Sequence, residues 1–436
     1  MCPRRLVPAL VLAAAALSGC SLFAQPKVAP ARDSSLAPPG PVGYVACPTA
    51  VTPVELTTHT AEAPIPLSVT GTPPLGDFAI TTSPDGRWAY VVTTSGVPRP
   101  SAPATGASTS TTGASTSTTG ASTSTTGAST STTGASTSTT GSPNSATSSS
   151  TAPTVGAAAG SQASAGGVHD VVVPINLVTQ RALAPIVIPG QGATHAVVLM
   201  HNDRTILAAS GSTIVPVDAV THDIGTPLDL GAGRTIFGLA LDPVNTTLYA
   251  LVPGGVVPVD TADASAGTLI PTGLAVSSVY SPHGIAITGN GSTVYVVGQG
   301  GVDFGGRVLP IATTTGTTLP ATGFDRFGIS DPAALAVTPD GAQLMVVDSA
   351  NDWLNPVAVA TFATPGQPVL LPQRHGGGAD SGTEHPTDIV LGPGRTGAFV
   401  VDGFDSVVPY TPGTEAFGRA IPVCTGATSM TVAAAP

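Results

Sequence analysis

Residues 78–92 read Phe78-Ala-Ile-Thr-Thr-Ser-Pro-Asp-Gly-Arg-Trp-Ala-Tyr90-Val-Val, residues 283–297 read His283-Gly-Ile-Ala-Ile-Thr-Gly-Asn-Gly-Ser-Thr-Val-Tyr295-Val-Val, and residues 333–347 read Ala333-Ala-Leu-Ala-Val-Thr-Pro-Asp-Gly-Ala-Gln-Leu-Met345-Val-Val. Each is an apolar run, a Pro-Asp-Gly or Asn-Gly turn, and a second run closing on a Tyr-Val-Val-like triplet. The turn pairs supply the backbone conformations of a tight hairpin, and β-branched and aromatic residues flank them, so each stretch predicts a β-hairpin. Related copies start near His195, Phe237 and Thr387.

Between these hairpins recurs a second half-unit: a Val-x-Pro strand, a polar turn, and a strand closing on Gly. Val215-Pro-Val-Asp-Ala-Val-Thr-His222 leads to Gly231, and Val257-Pro-Val-Asp-Thr-Ala-Asp263 leads to Gly273; further copies begin near Val54, Val173, Val308, Pro356 and Val408. Seven copies of this half accompany six complete hairpins. The missing hairpin is divided between the termini, with Ser429-Met-Thr-Val432 matching a first strand and Tyr44-Val-Ala-Cys47 a second. A ring closed by strands from both ends has no open seam. Without a low-complexity insertion described below, residues 43–433 give about 45 residues per unit, the length of a four-stranded blade. No 3.6-residue apolar period favours a helical solenoid. The expected fold is all-β, a seven-bladed β-propeller over 43–433 closed by pairing of its N- and C-terminal strands.

The hairpin ending in Tyr-Val-Val, followed by Val-x-Pro-Val-Asp and a Gly-terminated strand, resembles the YVTN-repeat β-propellers of bacterial surface and periplasmic proteins. The position of that family's Asn holds Thr93, Gly298, Asp348 or Asp402 here. The resemblance implies a fold and an envelope location; members differ in what they do, so it carries no function across.

The N-terminus agrees with export. Arg4 and Arg5 precede an apolar run from Leu6 to Leu17 that is too short to span a bilayer, followed by Leu17-Ser18-Gly19-Cys20. This resembles the lipobox of bacterial lipoproteins and implies a signal peptide over 1–19, a diacylglycerol on Cys20, and an Ala/Pro-rich flexible tether over 20–42. With Arg4 and Arg5 removed, 12 of the 14 basic residues remain against 25 acidic ones, a balance of −13, and Lys27 is the single lysine. Scattered arginines on an acidic chain argue against nucleic acid as a partner. Membrane contact is expected through the Cys20 lipid, leaving the body on the outer side of the membrane.

A second low-complexity segment, residues 97–167, interrupts blade one. Gly-Ala-Ser-Thr-Ser-Thr-Thr is repeated five times from Gly106 to Thr140. It lacks the apolar residues that would offset ordering entropy and is read as disordered.

Cys2 leaves with the leader and Cys20 is the lipidation candidate, so Cys47 and Cys424 remain. In an oxidising compartment they read as a disulfide across the ring closure rather than a metal site. By the chain-entropy estimate so long a loop contributes on the order of 4–5 kcal/mol, less any strain.

In a propeller the loops joining second to third strand, and one blade to the next, share one face. The long connections, Leu274–Pro282, Gln299–Gly306, Phe324–Asp331, Ser349–Asn355 and Gln373–His385, all fall there. They carry Tyr280, Asp325, Arg326, Phe327, Trp353, Arg374 and Glu384, expected as an interaction face for a protein or cell-wall ligand. At the channel mouth the repeats place His195, His283, Phe78, Phe237, Ala333, Thr387 and Ser429 at equivalent positions, with His385 and Asp388 beside Thr387. The set His195, His283, His385 and Asp388 offers ligands for a divalent metal in a hydrolase of lactonase type. Solvated or hydrogen-bonded histidines are the simpler account, because no compact spacing such as His-Glu-x-x-His occurs. Nucleophile-elbow, phosphate-loop and Cys-x-x-Cys motifs are absent from the sequence, and no cofactor is implied unless that metal is bound.

The leading expectation is a lipid-anchored, non-enzymatic binding or scaffold module acting through its long-loop face; the metal-assisted hydrolase is the alternative. Deleting residues 100–166 should leave one cooperative thermal transition at an unchanged midpoint by circular dichroism. Loss of cooperativity would show that the segment is part of the folded body.

Overall fold

A computed structural model describes residues 40–67, 69, 78–95, 169–190, 195–244, 246–275, 284–300, 305–319, 329–361, 368–372, 385–392, 397–412 and 414–433. The leader, most of the tether and the insertion lie outside these residues. The described residues form strands and turns with no helix, gathered into seven antiparallel sheets.

Blade one runs from its inner strand Ala79–Thr82 through Trp88–Ser95 and His169–Asn176 to outer pieces Arg181–Ala182 and Ile186–Val187. Blades two to six begin on inner strands His195–Leu199, Gly238–Leu241, Ile285–Ile287, Pro332–Val337 and Asp388–Leu391. Blade seven takes its inner strand Ser429–Ala433 from the C-terminus and Val42–Ala46, Ala50–Glu55, Thr60–Ala61 and Ile65–Pro66 from the N-terminus. The closing pair runs antiparallel from Val42↔Ala433 to Ala46↔Ser429. Each inner strand packs beside the inner strands of the next and previous blades, and the ring closes.

The core lies between blades. Its buried apolar residues fall into seven clusters, each shared by two adjacent blades. Val91 and Val173 of blade one pack with Tyr44 and Val51 of blade seven. Their strand neighbours Tyr90, Val92 and Val172 turn the other way, onto Ile206 and Val215 of blade two. Successive side chains leave opposite faces of a strand, so a sheet set edge-on to the channel sends them alternately to its two neighbours. Both faces are buried, and the Tyr-Val-Val triplet is therefore apolar throughout rather than alternating.

The short turns match the sequence expectation and show how it is enforced. In blade one Ser83 Oγ donates to Asp85 Oδ1 (2.6 Å), the Arg87 N–H donates to the same oxygen (3.0 Å), and the Trp88 N–H donates to Ser83 Oγ (2.9 Å). Thr338, Asp340, Ala342 and Gln343 repeat this in blade five, and Thr288, Asn290, Ser292 and Thr293 in blade four. Gly86, Gly291 and Gly341 follow the Asp or Asn at φ between 64° and 70°, where a side chain would be strained.

The Val-x-Pro motif has a consequence for the sheet edge. Pro53, Pro174, Pro216, Pro258, Pro310, Pro356 and Pro409 each sit in a third strand opposite Tyr44, Tyr90, Leu207, Tyr249, Tyr295, Met345 and Phe399. Proline has no N–H to give the fourth strand, although its carbonyl still accepts: Glu62 donates to Pro53 and Leu183 to Pro174, both at 2.8 Å. The fourth strand consequently breaks into two short pieces in blades one, three, six and seven. Such an interrupted outer edge is a poor template for another chain.

Cys47 and Cys424 are disulfide-bonded, with Cα atoms 6.1 Å apart at a sequence separation of 377. The bridge ties the end of Val42–Ala46 to the segment that follows the outer strand piece Ile421–Pro422 of blade six. Replacing both cysteines by alanine is expected to lower stability by about 2–4 kcal/mol in urea denaturation. A double variant as stable as the parent would show that the strand pairing alone closes the ring.

Candidate functional site

On the long-loop face, the described residues of blades four to six are joined by a hydrogen-bond network centred on Asp348. This residue ends the second strand of blade five and is fully buried. Its Oδ1 accepts from the N–H groups of Asp331 (3.1 Å) and Ala350 (3.2 Å), and its Oδ2 from the Ser330 N–H (2.9 Å) and Asn351 Nδ2 (2.7 Å). One carboxylate thus fixes both its own turn and the chain arriving from blade four. From blade four, Gln299 Nε2 donates to the Ser330 carbonyl (3.2 Å) and to Asp331 Oδ1 (3.3 Å).

From blade six, the His385 N–H donates to Asp352 Oδ1 (3.0 Å), and His385 Nδ1 donates to the Ser349 carbonyl (3.2 Å). Ser349 Oγ returns a bond to the Pro386 carbonyl (3.0 Å), and the imidazole stacks on Phe404 at 6.4 Å. Asp402 likewise fixes its own turn in blade six. Its Oδ1 accepts from the N–H groups of Phe404, Asp405 and Ser406 at 2.9–3.1 Å, and its Oδ2 accepts from Ser406 Oγ. These are the positions where the resembled repeat has Asn. An acid or amide there accepts the turn's N–H groups, the same chemistry as an Asx turn.

Half-buried Asp331 stands at the start of the inner strand of blade five. Burial raises its carboxyl above the ordinary value and the Asp348 carboxylate raises it further, against smaller lowering by the Gln299 bond and His385.

Trp353 opens the third strand of blade five as a half-buried residue, paired with Asp348 on one side and Leu370 on the other. Leu370 is 54% exposed, so an apolar pair is presented on this face. Tyr280, Asp325, Arg326, Phe327, Arg374 and Glu384 of the expected interaction face lie outside the described residues, as do Cys20 and His283; only the backbone of His195 is described. The within-blade loops are shorter than the sequence suggested. Pairing continues through Gln299↔Gly306 and Gly300↔Gly305 in blade four, and through Asp348↔Trp353 in blade five.

The mouth positions differ from the expectation in two respects. Strand pairing makes Thr428, not Ser429, the counterpart of Thr387: the Thr387 N–H donates to Val401 and the Thr428 N–H to Ala46, each two residues past the aromatic of its second strand. And at two of these positions the side chain points sideways. Phe78 is buried in the seam between blades seven and one, and Phe237 in the seam between three and four. His385 and Asp388 turn to opposite neighbours. His385 faces blade five, whereas Asp388 accepts from the Met430 N–H of blade seven at 2.8 Å. Among the described residues, no three His, Cys, Asp or Glu side chains gather as a metal site.

The fold defines the molecule as a seven-bladed β-propeller. Similar solved structures include the periplasmic gluconolactonase of Pseudomonas aeruginosa, with a TM-score of 0.54 at 13% identity over 91% of this chain and 99% of the other. A Bacteroides uniformis protein ascribed to the 6-phosphogluconolactonases gives 0.53 at 12% identity over 90% and 99%. A functionally unknown protein from Desulfotomaculum acetoxidans gives 0.52 at 12% identity over 90% and 98%. At such identities the likeness is one of fold. No protein-family model and no curated protein sequence matches this chain.

The raised Asp331 carboxyl fixes the sign of a pH effect. Because the folded state holds this proton more tightly, the associated stability is present below the unfolded value of about 3.9 and is lost as pH rises through the folded value. Asp331→Asn should therefore gain stability on the parent between pH 4 and pH 7 in urea titrations. An equal difference at both pH values would show that the charge is not what burial opposes.

Proposed function

We propose that the chain is a lipid-anchored, extracytoplasmic binding propeller that engages a protein or cell-wall partner through the long-loop face of blades four to six. One observation carries this reading. Val42 and Ala433 pair at the end of blade seven where other blades have their short first-to-second-strand turn. A tether from Cys20 would therefore join the body on the tight-turn face and leave the long loops pointing away from the membrane. Trp353 beside exposed Leu370, on a base braced by Asp348 and Asp352, supports the same assignment, since rigidly held aromatics are effective anchors for a partner.

A second reading, hydrolysis of a lactone-like ester at the channel mouth, is favoured by Asp331 and His385 and by the activity named for the Pseudomonas aeruginosa neighbour. Water addition to a lactone needs a group that takes a proton from water and one that returns it to the leaving alkoxide, and a half-buried carboxyl near an imidazole can serve either step. A divalent metal held by His195 and His283 would add Lewis-acid chemistry to this reading.

Cosedimentation with isolated cell wall and in-membrane crosslinking of the lipidated chain separate the two. Combined Phe327→Ala, Trp353→Ala and Arg374→Ala should reduce capture at least about tenfold, the scale expected when interface anchors are truncated. The melting temperature should not change, and Asp331→Asn should leave capture intact. Retained capture in the triple variant would count against the binding reading. Lactone turnover lost in Asp331→Asn, or a stoichiometric metal lost on replacing His195 or His283, would replace it with the second.

A further inference from the structure

On the tight-turn face, between blades one and two, the structure has a cavity of about 330 Å³ that neither reading above uses. Pro84, Trp88 and Val220 supply apolar lining, Asp85 and Asp203 supply carboxylates, and Ser83 and His222 complete the polar wall. Val220 is 74% exposed and sits at the rim of this cavity. The cavity is held open by turns with fixed geometry. Asp85 belongs to the braced hairpin of blade one, Asp203 sits at φ 55° in the matching turn of blade two, and Val220 lies in the turn capped by Asp218 Oδ1.

Its charge is negative. The two guanidiniums nearby are already engaged, Arg204 with Asp218 at 2.7 Å and Arg87 with Asp85 at 3.7 Å, and among the described residues no cation pairs with Asp203. Of the two carboxylates in the lining, Asp85 is shared with Arg87 and Asp203 is left to a ligand. The Tyr90 phenol, which lines the cavity and donates to the Ala219 carbonyl at 3.2 Å, responds to this environment: burial, then the Asp85 and Asp218 carboxylates, push it up to about 12. An indole face together with carboxylates is the combination that favours a cation carrying apolar groups over a neutral or anionic ligand.

We infer that this cavity binds an organic cation, an alkylammonium or guanidinium group, against the indole of Trp88 and beside the carboxylates of Asp85 and Asp203. The site is independent of the long-loop face and would let the propeller hold a cationic molecule or side chain on the side from which its N-terminal segment leaves.

The test uses the full chain, N-acetyl-arginine amide as probe, and its neutral counterpart N-acetyl-citrulline amide. The arginine probe should quench tryptophan emission saturably and the citrulline probe should not. Trp88→Phe, which leaves Trp353 as the only tryptophan, should abolish the signal. By calorimetry, Asp85→Asn and Asp203→Asn should each weaken the arginine probe about fivefold, the scale of a partly exposed cation site. Asp85→Asn keeps the turn intact, because Asn290 makes the same bonds in blade four, and Asn tolerates the left-handed backbone at position 203. Unaltered melting temperatures would confirm that both variants fold. Equal binding of the citrulline probe, unchanged affinity in both Asn variants, or no saturable binding of the arginine probe would each overturn the assignment.

Discussion

The constraint on which this molecule depends is that each of its sheets is buried on both faces. A blade set edge-on to a central channel has no solvent side; residues one apart serve different seams. Tyr90 belongs to the seam with blade two and Val91 to the seam with blade seven. No blade completes its own core, so stability must come from the ring as a whole. Closure then matters more than the quality of any single sheet. The terminal strands pair over five residues, and the Cys47–Cys424 bond fastens the same junction from the opposite end of the blade.

This constraint explains what could be read in the amino acids and what could not. The hairpins of blades one, four and five were legible because local chemistry sets them: an Asp or Asn accepts two bonds at the turn and a Gly beyond it takes a positive φ. The division of the seventh blade was legible because the two halves of one repeat survive at the two ends of the chain. The direction of the mouth residues was not. Equivalence along a repeat says that Phe78 and Phe237 occupy the same place, but whether that place faces the channel or a seam follows from the tilt of the whole sheet. The one-residue offset between Thr428 and Ser429 has a similar origin, since pairing across the closure is decided in three dimensions.

The candidate site was legible only in outline. Long polar connections point to a face, yet the residues that brace it, Asp348, Asn351, Gln299 and Ser330, carry no motif and come together from blades four and five. The best local sign was the substitution of Asp for the Asn of the resembled repeat at positions 348 and 402. Both carboxylates turn out to accept backbone N–H groups in their loops. The opposite face is built from short turns with little freedom, and its character comes from which side chains those turns display.

The place where the Ser/Thr-rich insertion joins blade one has its own consequence. Ser95 and His169 are direct partners at the end of an eight-residue ladder, so whatever lies between them begins and ends at a single point of the body. The blade registers only that this gap is bridged, not how many residues bridge it. Because the insertion contains a seven-residue unit repeated in tandem, slippage during replication can add or remove whole units without shifting the reading frame. The length of that segment can therefore change by whole units without altering the ladder that bears it.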